Sequence, residues 1–403
     1  MTSSPETLAP LRGIDGGFTH DSIHRRLPLI IDECLVHNKL LPHHVRDALL
    51  RLRAECAATA PAAILAADAD CGALDGNWTQ LHAEHASETW DSAPWFFVEN
   101  FFYARVRAAA GPGVDAFAPQ KSAALLGATR PFVEAVLPLG DEPVSPAMLR
   151  RAFLCSLWGN KADLSLHTLG AVVAGGNCNG EPASAAALLA DDLDATILRL
   201  SRRPLGLVVI VLDNCGLELL SDLMLVDALL RGGAQGGDAV GADRVTLYCK
   251  DVPVFVSDAM PRDVQAHITW LRDTLGDPRA HSLATRLDVA LSDGRLTVLA
   301  DPFWTSPHPV WDAPRDVVTT LASAALSIFK GDANYRRLLG DRHWQHATPF
   351  STAVAYLPCP ALALRTNKSG VVVGIPPEVE ARAAAASSDW LTTGSYGVAQ
   401  LLE

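Results

Sequence analysis

The fold class of this chain follows from one segment, Val208-Val-Ile-Val-Leu212, which runs directly into Asp213-Asn-Cys-Gly-Leu-Glu218. Five consecutive apolar residues, mostly β-branched, predict a strand that is buried on both faces, as in a parallel sheet. Helical spacing from Leu217 to Leu230 predicts a helix after the strand. In an open α/β sheet, ligands bind in the crevice beyond the carboxyl ends of the strands. Asp213 and Asn214 therefore stand where a ligand site is expected.

These two residues have two interpretations. A carboxylate and an amide oxygen that point into one crevice suit a hard divalent cation. Alternatively, Asp213 or Asn214 caps the helix that follows, which is the commoner arrangement in proteins. The segment alone leaves both interpretations open.

Three later segments repeat the pattern of an apolar run that ends in polar residues. A strand predicted from Arg244 continues to Asp258, whose carboxylate would approach Asp213 across the top of the sheet. Another run leads to Lys330-Gly-Asp-Ala-Asn334, and a fourth leads to Arg365-Thr-Asn-Lys368. Acids that suit a metal and bases that suit an anion, all at strand ends, indicate a site for a metal-bound phosphate ester.

Six blocks of the chain occur in the order found in one known family: Pro94-Trp-Phe-Phe-Val-Glu99, Leu157-Trp-Gly-Asn-Lys-Ala-Asp163, Leu212-Asp-Asn-Cys-Gly-Leu-Glu218, Phe255-Val-Ser-Asp258, Lys330-Gly-Asp-Ala-Asn-Tyr-Arg336 and Arg365-Thr-Asn-Lys368. They span most of the chain and resemble the metal-dependent damage-control phosphatases, once named domain of unknown function 89. The resemblance is closest to the subfamily with an Arg-Thr-x-Lys motif, which includes sugar-phosphate phosphatases. Cys215 departs from the pattern, because the family has a small residue such as alanine there.

The resemblance implies a phosphatase that hydrolyses phosphate monoesters of small phosphorylated metabolites. Fructose 1-phosphate and fructose 6-phosphate are the substrates that the family points to. It also implies a divalent metal, Mn²⁺, Mg²⁺, Co²⁺ or Ni²⁺, held by Asp213, Asn214 and Asp258. Oxygen ligands leave the choice among these metals open.

The same resemblance assigns roles to other residues. Asp213, Asp258 and Asp332 are the expected catalytic residues, with Asp332 either a general acid/base or a group that orients a metal ligand. Lys330 and Lys368 are expected to neutralise phosphate oxygens. Together with the three metal ligands, the residues expected to contact the substrate are Glu218, Lys330, Gly331, Asp332, Ala333, Asn334 and Lys368.

Two residues in the matching blocks have both a structural and a functional interpretation. Glu99 lies in an aromatic stretch, and a buried carboxylate needs a partner. An ion pair with Arg105 or Arg107 is favoured for it, and a position beside the substrate is the alternative. Asn160 either belongs to a capped turn or reaches the phosphorylated sugar.

Arg365 also has two interpretations. Its planar guanidinium can grip phosphate at two points, or it can brace Asp213 or Asp258 from behind. The bracing role is favoured, because Lys330 and Lys368 already supply charge for a monoester.

Two other functions stay open. One is an S-adenosylmethionine-dependent methyltransferase acting on protein carboxylates, an activity also attributed to the subfamily. The first strand ends in Asp-Asn rather than in a glycine-rich turn, which argues against it. The other is a protein that binds a metabolite without catalysis.

Composition fits an enzyme of two lobes. A chain of 403 residues normally divides, and we expect an all-helical lobe over residues 1–150 and a catalytic lobe over residues 151–403. The second lobe is expected to be a three-layer α/β/α structure with a mainly parallel sheet. A net charge of −12 argues against a nucleic-acid partner. No apolar run reaches the length of a membrane span.

The cysteines and histidines add little to these expectations. None of the eight cysteines form a Cys-x-x-Cys pair, so neither a zinc knuckle nor a disulfide framework is predicted. A reducing cytoplasm is therefore the expected location. We find no metal-ligand spacing among the thirteen histidines. The sequence does not determine the oligomeric state.

Overall fold

The computed structural model describes residues 5–57, 76–159, 187–202, 204, 206–234 and 240–403, so that Asn160 lies outside the described residues. Seven strands form one sheet: β1 (Leu188–Asp191), β2 (Leu207–Val211), β3 (Arg244–Cys249), β4 (Leu296–Ala300), β5 (Ala324–Lys330), β6 (Ala361–Thr366) and β7 (Gly397–Leu402). Their order is β1-β7-β6-β5-β2-β3-β4. Strands β2 to β6 are parallel to one another, and β7 runs antiparallel to β6. The predicted mainly parallel sheet is confirmed.

Strand β2 is buried on both faces, as its apolar run predicts. Val208 and Ile210 pack into the hydrophobic cluster on one face of the sheet. Val209 and Val211 pack into the cluster on the other face. Helices cover both faces, and the arrangement is therefore a three-layer α/β/α sandwich.

The strand predicted to run from Arg244 to Asp258 is half wrong. Strand β3 ends at Cys249, and the following residues form a loop. Phe255 and Val256 have φ values of +49° and +64°, in the left-handed region. That backbone cannot continue an extended strand, and it is rare for a β-branched residue. Asp258 reaches the edge of the sheet by a turn of this loop rather than as a strand end.

No strand is found in the described residues before Gly159. The α-helices there are α1 (Gly17–Asp21), α2 (Leu27–His37), α3 (His43–Ala57), α4 (Gly76–Glu84), α5 (Trp95–Ala110), α6 (Ala118–Gly127), α7 (Thr129–Pro131) and α8 (Pro146–Trp158). The helices that alternate with the strands are α9 (Leu193–Leu200), α10 (Leu217–Ala234), α11 (Pro261–Asp273), α12 (Pro278–Ser292), α13 (Arg315–Ala322), α14 (Gly331–Leu339), α15 (Phe350–Ala353) and α16 (Pro377–Ala386). Helix α10 confirms the helical spacing that starts at Leu217. None of the helices within the described ranges is both long and apolar enough to cross a membrane.

The helical part of the chain packs in two ways. Helices α2 to α5 surround a third cluster, which contains Trp95 and Phe101 and also Val254 from the loop after β3. By contrast, Phe132 and Phe153 belong to the hydrophobic cluster that covers one face of the sheet. The division into lobes at residue 150 stays a prediction.

Candidate metal and phosphate site

The carboxyl ends of four adjacent strands meet at one edge of the sheet. In the order β6-β5-β2-β3 these strands lead into Arg365, Gly331, Asp213 and Lys250. Because parallel strands all end at the same edge, residues far apart in sequence come together there. The predicted convergence of these strand ends is present, except that Asp258 arrives from the loop after β3.

Asp213, Asn214 and Asp258 form one compact group. Residues Asn214 and Asp258 pair as an isolated antiparallel bridge. The amide of Ala259 donates to the Asp213 carbonyl oxygen over 2.7 Å, which ties the loop to the end of β2. The Asn214 side-chain nitrogen donates to Asp213 Oδ2 over 2.6 Å and to Glu218 Oε2 over 3.0 Å. Asn214 Oδ1 accepts from the Ser257 hydroxyl, so Asn214 would have to release Ser257 to ligate a metal through that oxygen.

Burial disfavours the charged forms of Asp213 and Asp258, although nearby lysines oppose this effect. Burial raises the pKa of Asp213 well above its usual value, and the charges of Asp258 and Glu218 raise it further. Burial also raises the pKa of Asp258 to about 6, although Lys250 opposes this from 3.4 Å away. Asp258 Oδ2 is buried and accepts no hydrogen bond, and the Lys250 ammonium at 3.4 Å is its charge partner. A divalent cation would satisfy that oxygen and offset the repulsion, so these residues fit a hard metal ion.

Gly331 lets helix α14 start against Asp213. Its φ is +77°, and a Cβ at this position would lie 1.8 Å from Asp213 Oδ2. Any side chain there would displace the carboxylate, so the glycine is required both for its backbone conformation and for the close approach. Gly331 is not among the residues that line the cavity at this edge, and its predicted contact with the substrate stays a prediction.

Asp213, Asn214 and Asp258 line a cavity of about 130 Å³. The volume is small beside the roughly 300–1,000 Å³ of pockets for drug-sized ligands. It therefore suits the reacting end of a small molecule. The lining residues are Arg26, Glu99, Asp213, Asn214, Phe255, Ser257, Asp258, Asp332, Ala333, Arg336 and Lys368.

Lys330 does not line this cavity, contrary to its predicted contact with phosphate. It is 1% exposed and lies 3.2 Å from both Glu218 and Asp222. Its ammonium also donates to the Ser156 carbonyl oxygen. Although burial alone would lower it, the charges of Asp222 and Glu218 raise the pKa of Lys330. Lys330 is a buried counter-charge because helix α10 places two carboxylates over it.

Glu218 and Asn334 also lie behind the cavity wall rather than in it. Glu218 is 2% exposed and holds Lys330 and the Asn214 amide. The Asn334 side-chain nitrogen donates to the carbonyl oxygens of Leu212 and Lys330, over 3.0 and 2.8 Å. Its oxygen accepts from Lys250 over 3.2 Å. Direct contact of these two side chains with a substrate does not fit this arrangement, since their polar atoms already hold the protein together.

Arg365 is a brace, but for a different carboxylate from the one predicted. Its Nε donates to Asp332 Oδ1 over 2.8 Å, and it reaches neither Asp213 nor Asp258 by a hydrogen bond. The Lys368 amide and the Ser369 hydroxyl donate to the same oxygen, over 3.0 and 3.1 Å. Although burial alone would raise it, the charges of Arg365 and Arg336 lower the pKa of Asp332. Asp332 is therefore held as an anion that fixes the loop carrying Lys368.

Glu99 pairs with neither of the arginines proposed for it. It binds Arg336 and lies 3.6 Å from Arg26, while Arg105 pairs with Glu55. Arg105 and Arg107 follow Glu99 on the same helix, whereas its partners come from the π-helical turn Ser22–Arg26 and from α14. Glu99 also lines the cavity, which agrees with the alternative interpretation.

Two arginines and one histidine at this site were missed from the sequence. Arg336 belongs to one of the six blocks that carry the resemblance, but no local sequence pattern places its side chain at the cavity. Arg26 follows another arginine and carried no signal. His267 accepts a hydrogen bond from the Gly216 amide over 2.9 Å and so fixes the turn after Asn214. Its spacing on helix α11 is that of an ordinary buried residue.

A small cavity at the carboxyl edge of the sheet, lined by two buried carboxylates and a lysine, suits a metal-dependent phosphatase. The sequence model of the damage-control phosphatase ARMT1-like domain matches residues 25–383. The chain therefore belongs to the ARMT1-like damage-control phosphatases, and the resemblance inferred from the six blocks is confirmed.

The chain is similar to several proteins named damage-control phosphatase ARMT1. The protein of Mus musculus is 31% identical over 346 residues, which cover 77% of this chain and 74% of the relative. That of Bos taurus is 31% identical over 353 residues, covering 81% and 78%. That of Homo sapiens is 29% identical over 364 residues, covering 81% and 78%. A crystal structure of a DUF89 family protein from Pyrococcus horikoshii aligns with a TM-score of 0.48 at 14% identity, covering 86% of this chain and 91% of that one.

Proposed function

We propose that this enzyme hydrolyses phosphate monoesters of small sugars at the cavity between Asp213, Asp258 and Lys368, with fructose 1-phosphate and fructose 6-phosphate as the first substrates to test. One observation carries the proposal. Two buried carboxylates, Asp213 and Asp258, line a small cavity together with Lys368 at the carboxyl edge of the sheet.

Asp213 and Asp258 would hold a divalent ion, with Asn214 as a third ligand. Mn²⁺, Mg²⁺, Co²⁺ and Ni²⁺ all suit such oxygen donors. When bound, the ion would supply positive charge to a phosphate oxygen and lower the pKa of a coordinated water. The protein supplies the fixed geometry of the ligands, because the Asn214–Asp258 bridge and Gly331 position both carboxylates.

The cavity has cations on two sides. Lys368 lies on the loop that Asp332 fixes, and Arg26 and Arg336 lie on the side of Glu99. Arg336 is buried and its charge is shared with Glu99 and Asp341. The Arg26 side chain is 48% exposed. We infer that Lys368 binds the phosphoryl group and that Arg26 contacts the more distant part of the substrate at the cavity mouth.

Asp332 is a weaker candidate for proton transfer than the sequence indicated. A carboxyl with a lowered pKa and several donors is a poor general acid near neutral pH. We therefore propose a positioning role for Asp332. A reducing location such as the cytoplasm is also proposed, since the cysteines within the described residues are buried free thiols.

The deciding experiment measures phosphate release from a panel of sugar phosphates with Mn²⁺, Co²⁺, Ni²⁺ or Mg²⁺, beside transfer of a labelled methyl group from S-adenosylmethionine. The proposal expects phosphate release that needs metal and is lost in Asp213→Asn. Methyl transfer without phosphate release would favour the methyltransferase. Tight binding of sugar phosphates with neither reaction would favour a non-catalytic binding protein.

A further inference from the structure

A second group of metal-ligand side chains lies outside this cavity. His20 and His24 are four residues apart where α1 continues into a π-helical turn, Ser22–Arg26. Asp91 approaches them from the segment before α5. One ligand atom of each residue lies within 4.8 Å of the other two. This His-x-x-x-His spacing was overlooked in the sequence because its third member comes from a distant segment.

His24 is held in one orientation by both ring nitrogens. Its Nδ1 lies 2.8 Å from the Cys56 carbonyl oxygen, which can only accept, so Nδ1 carries a proton. In a neutral ring, Nε2 then presents a lone pair. It lies 2.9 Å from Asp91 Oδ1, a second acceptor. Two acceptors at this distance need a shared proton or a metal ion that contacts both atoms.

The other donors are placed to complete such a site. A Cβ on Gly13 would lie 2.6 Å from Asp91 Oδ1, so the glycine allows the loop to press on this carboxylate. The Ile14 amide donates to the Asp91 carbonyl oxygen over 3.0 Å. The rings of His20 and His24 have centroids 4.4 Å apart. Asp91 and His24 are thus fixed by the fold, while the exposed His20 needs only a side-chain rotation.

We propose that His20, His24 and Asp91 bind a divalent transition-metal ion that prefers imidazole ligands, with Zn²⁺ as the ion to test. Two histidine nitrogens and one carboxylate are a common zinc ligand set, and an exposed site leaves a further position for water. His24 Nδ1, the ring nitrogen that would not bind the metal, contacts the Cys56 backbone carbonyl. Contacts of this kind orient metal-ligating histidines in proteins. The donor set differs from the all-oxygen group of the cavity.

The position of this site gives it a structural role. The π-helical turn that contains His24 ends at Arg26, which lines the cavity. Asp91 lies just before α5, which carries Glu99. A bound ion therefore ties the segment that supplies Arg26 to the helix that supplies Glu99. The proposed ion would stabilise one wall of the cavity by joining these two segments. It would not contact the reacting atoms.

The test is calorimetric titration of Zn²⁺ into the full-length protein, with the bound metal counted by elemental analysis. Asp258→Asn removes a ligand from the cavity, so the remaining Zn²⁺ uptake reports the second site. In that background we expect one Zn²⁺ per chain and a higher melting temperature with Zn²⁺. His20→Ala should weaken this binding by at least about tenfold. His37→Ala, another exposed histidine on a nearby helix, should leave it unchanged.

Two outcomes would overturn the proposal. Equal Zn²⁺ affinity in the Asp258→Asn protein with and without His20→Ala would place the ion elsewhere. Nitrogen-15 shifts of the His24 ring that report an imidazolium and do not respond to Zn²⁺ would show that the charge between His24 and Asp91 is only a proton. His20 is exposed, so its replacement tests the site without a risk to folding.

Discussion

Arg365 donates its Nε hydrogen to Asp332 Oδ1 over 2.8 Å, and the Lys368 amide donates to the same oxygen. Arg365 is fully buried, and its guanidinium lies 4.3 Å from the Tyr335 ring centroid. The first and last residues of the Arg-Thr-x-Lys motif are thus joined through one carboxylate. The motif is a support for Lys368 as well as a source of charge.

Arg365→Lys should disturb phosphate binding more than metal binding. This reverses the expectation that follows from a brace on Asp213 or Asp258. A lysine keeps the charge but cannot make the several directed hydrogen bonds of a guanidinium. We expect the inhibition constant for inorganic phosphate to rise about 10–100-fold as the Lys368 loop loses its position. Mn²⁺ affinity, measured by calorimetry, should stay close to that of the wild type. A large loss of Mn²⁺ affinity would show that Arg365 supports the metal ligands after all.

Lys368→Met should remove turnover while leaving the fold and Mn²⁺ affinity nearly intact. A cation placed at a developing phosphate charge in a sheltered cavity contributes several kcal/mol, so kcat should fall about 10²–10³-fold. Lys39→Met, at an exposed turn, is the matched control. Unchanged kcat in Lys368→Met would show that another group neutralises the phosphoryl oxygens.

Gly331→Ala should abolish metal binding, because the added methyl group would lie 1.8 Å from Asp213 Oδ2. Gly294→Ala is a close control, since Gly294 has the same φ of +77° with open space around it. Left-handed strain alone should cost about 1 kcal/mol of unfolding free energy. Gly331→Ala should cost about 3 kcal/mol, with overpacking added. Chemical denaturation of both variants measures the difference, and equal costs would contradict the close approach.

Asp213→Asn should make the metal-free protein more stable and the enzyme inactive. The buried Asp213 carboxylate faces the charges of Asp258 and Glu218, and a neutral amide of similar shape removes that repulsion. Metal should then stabilise wild type but not the variant, because a ligand stabilises only the state that binds it. Melting temperatures with and without Mn²⁺ give the answer. If the metal-free variant melts at a lower temperature than the metal-free wild type, repulsion among Asp213, Asp258 and Glu218 does not destabilise the protein.

Stability should fall below neutral pH through His267. Burial lowers the pKa of His267 to about 4, while an unfolded histidine titrates near 6.5. The unfolded chain therefore takes up a proton first, so this contribution is complete above pH 6.5 and is lost as pH falls towards 4. The loss amounts to about 3 kcal/mol. His267→Gln should flatten the decline between pH 6.5 and 4. An NMR titration that gives His267 a pKa near 6.5 would contradict this prediction.

Much of this site was accessible from local sequence patterns. The apolar run at Val208 predicted a central strand, and the order of strand and helix patterns predicted a shared edge that includes Asp213. The patterns failed where the backbone leaves regular structure. Left-handed Phe255 and Val256 turn the chain back to Asn214, and no periodicity signals such a loop.

The sequence by itself determined the sheet, the family and the residue types at the strand ends, because burial and periodicity act on neighbouring residues. Only the tertiary structure decided which charges meet. It turned Lys330 and Glu218 inwards to neutralise each other, gave Asp332 to Arg365, and brought Arg26 to the cavity. The reason is physical. A buried charge must find an opposite charge within a few ångströms, and that partner is chosen by the packing of distant segments.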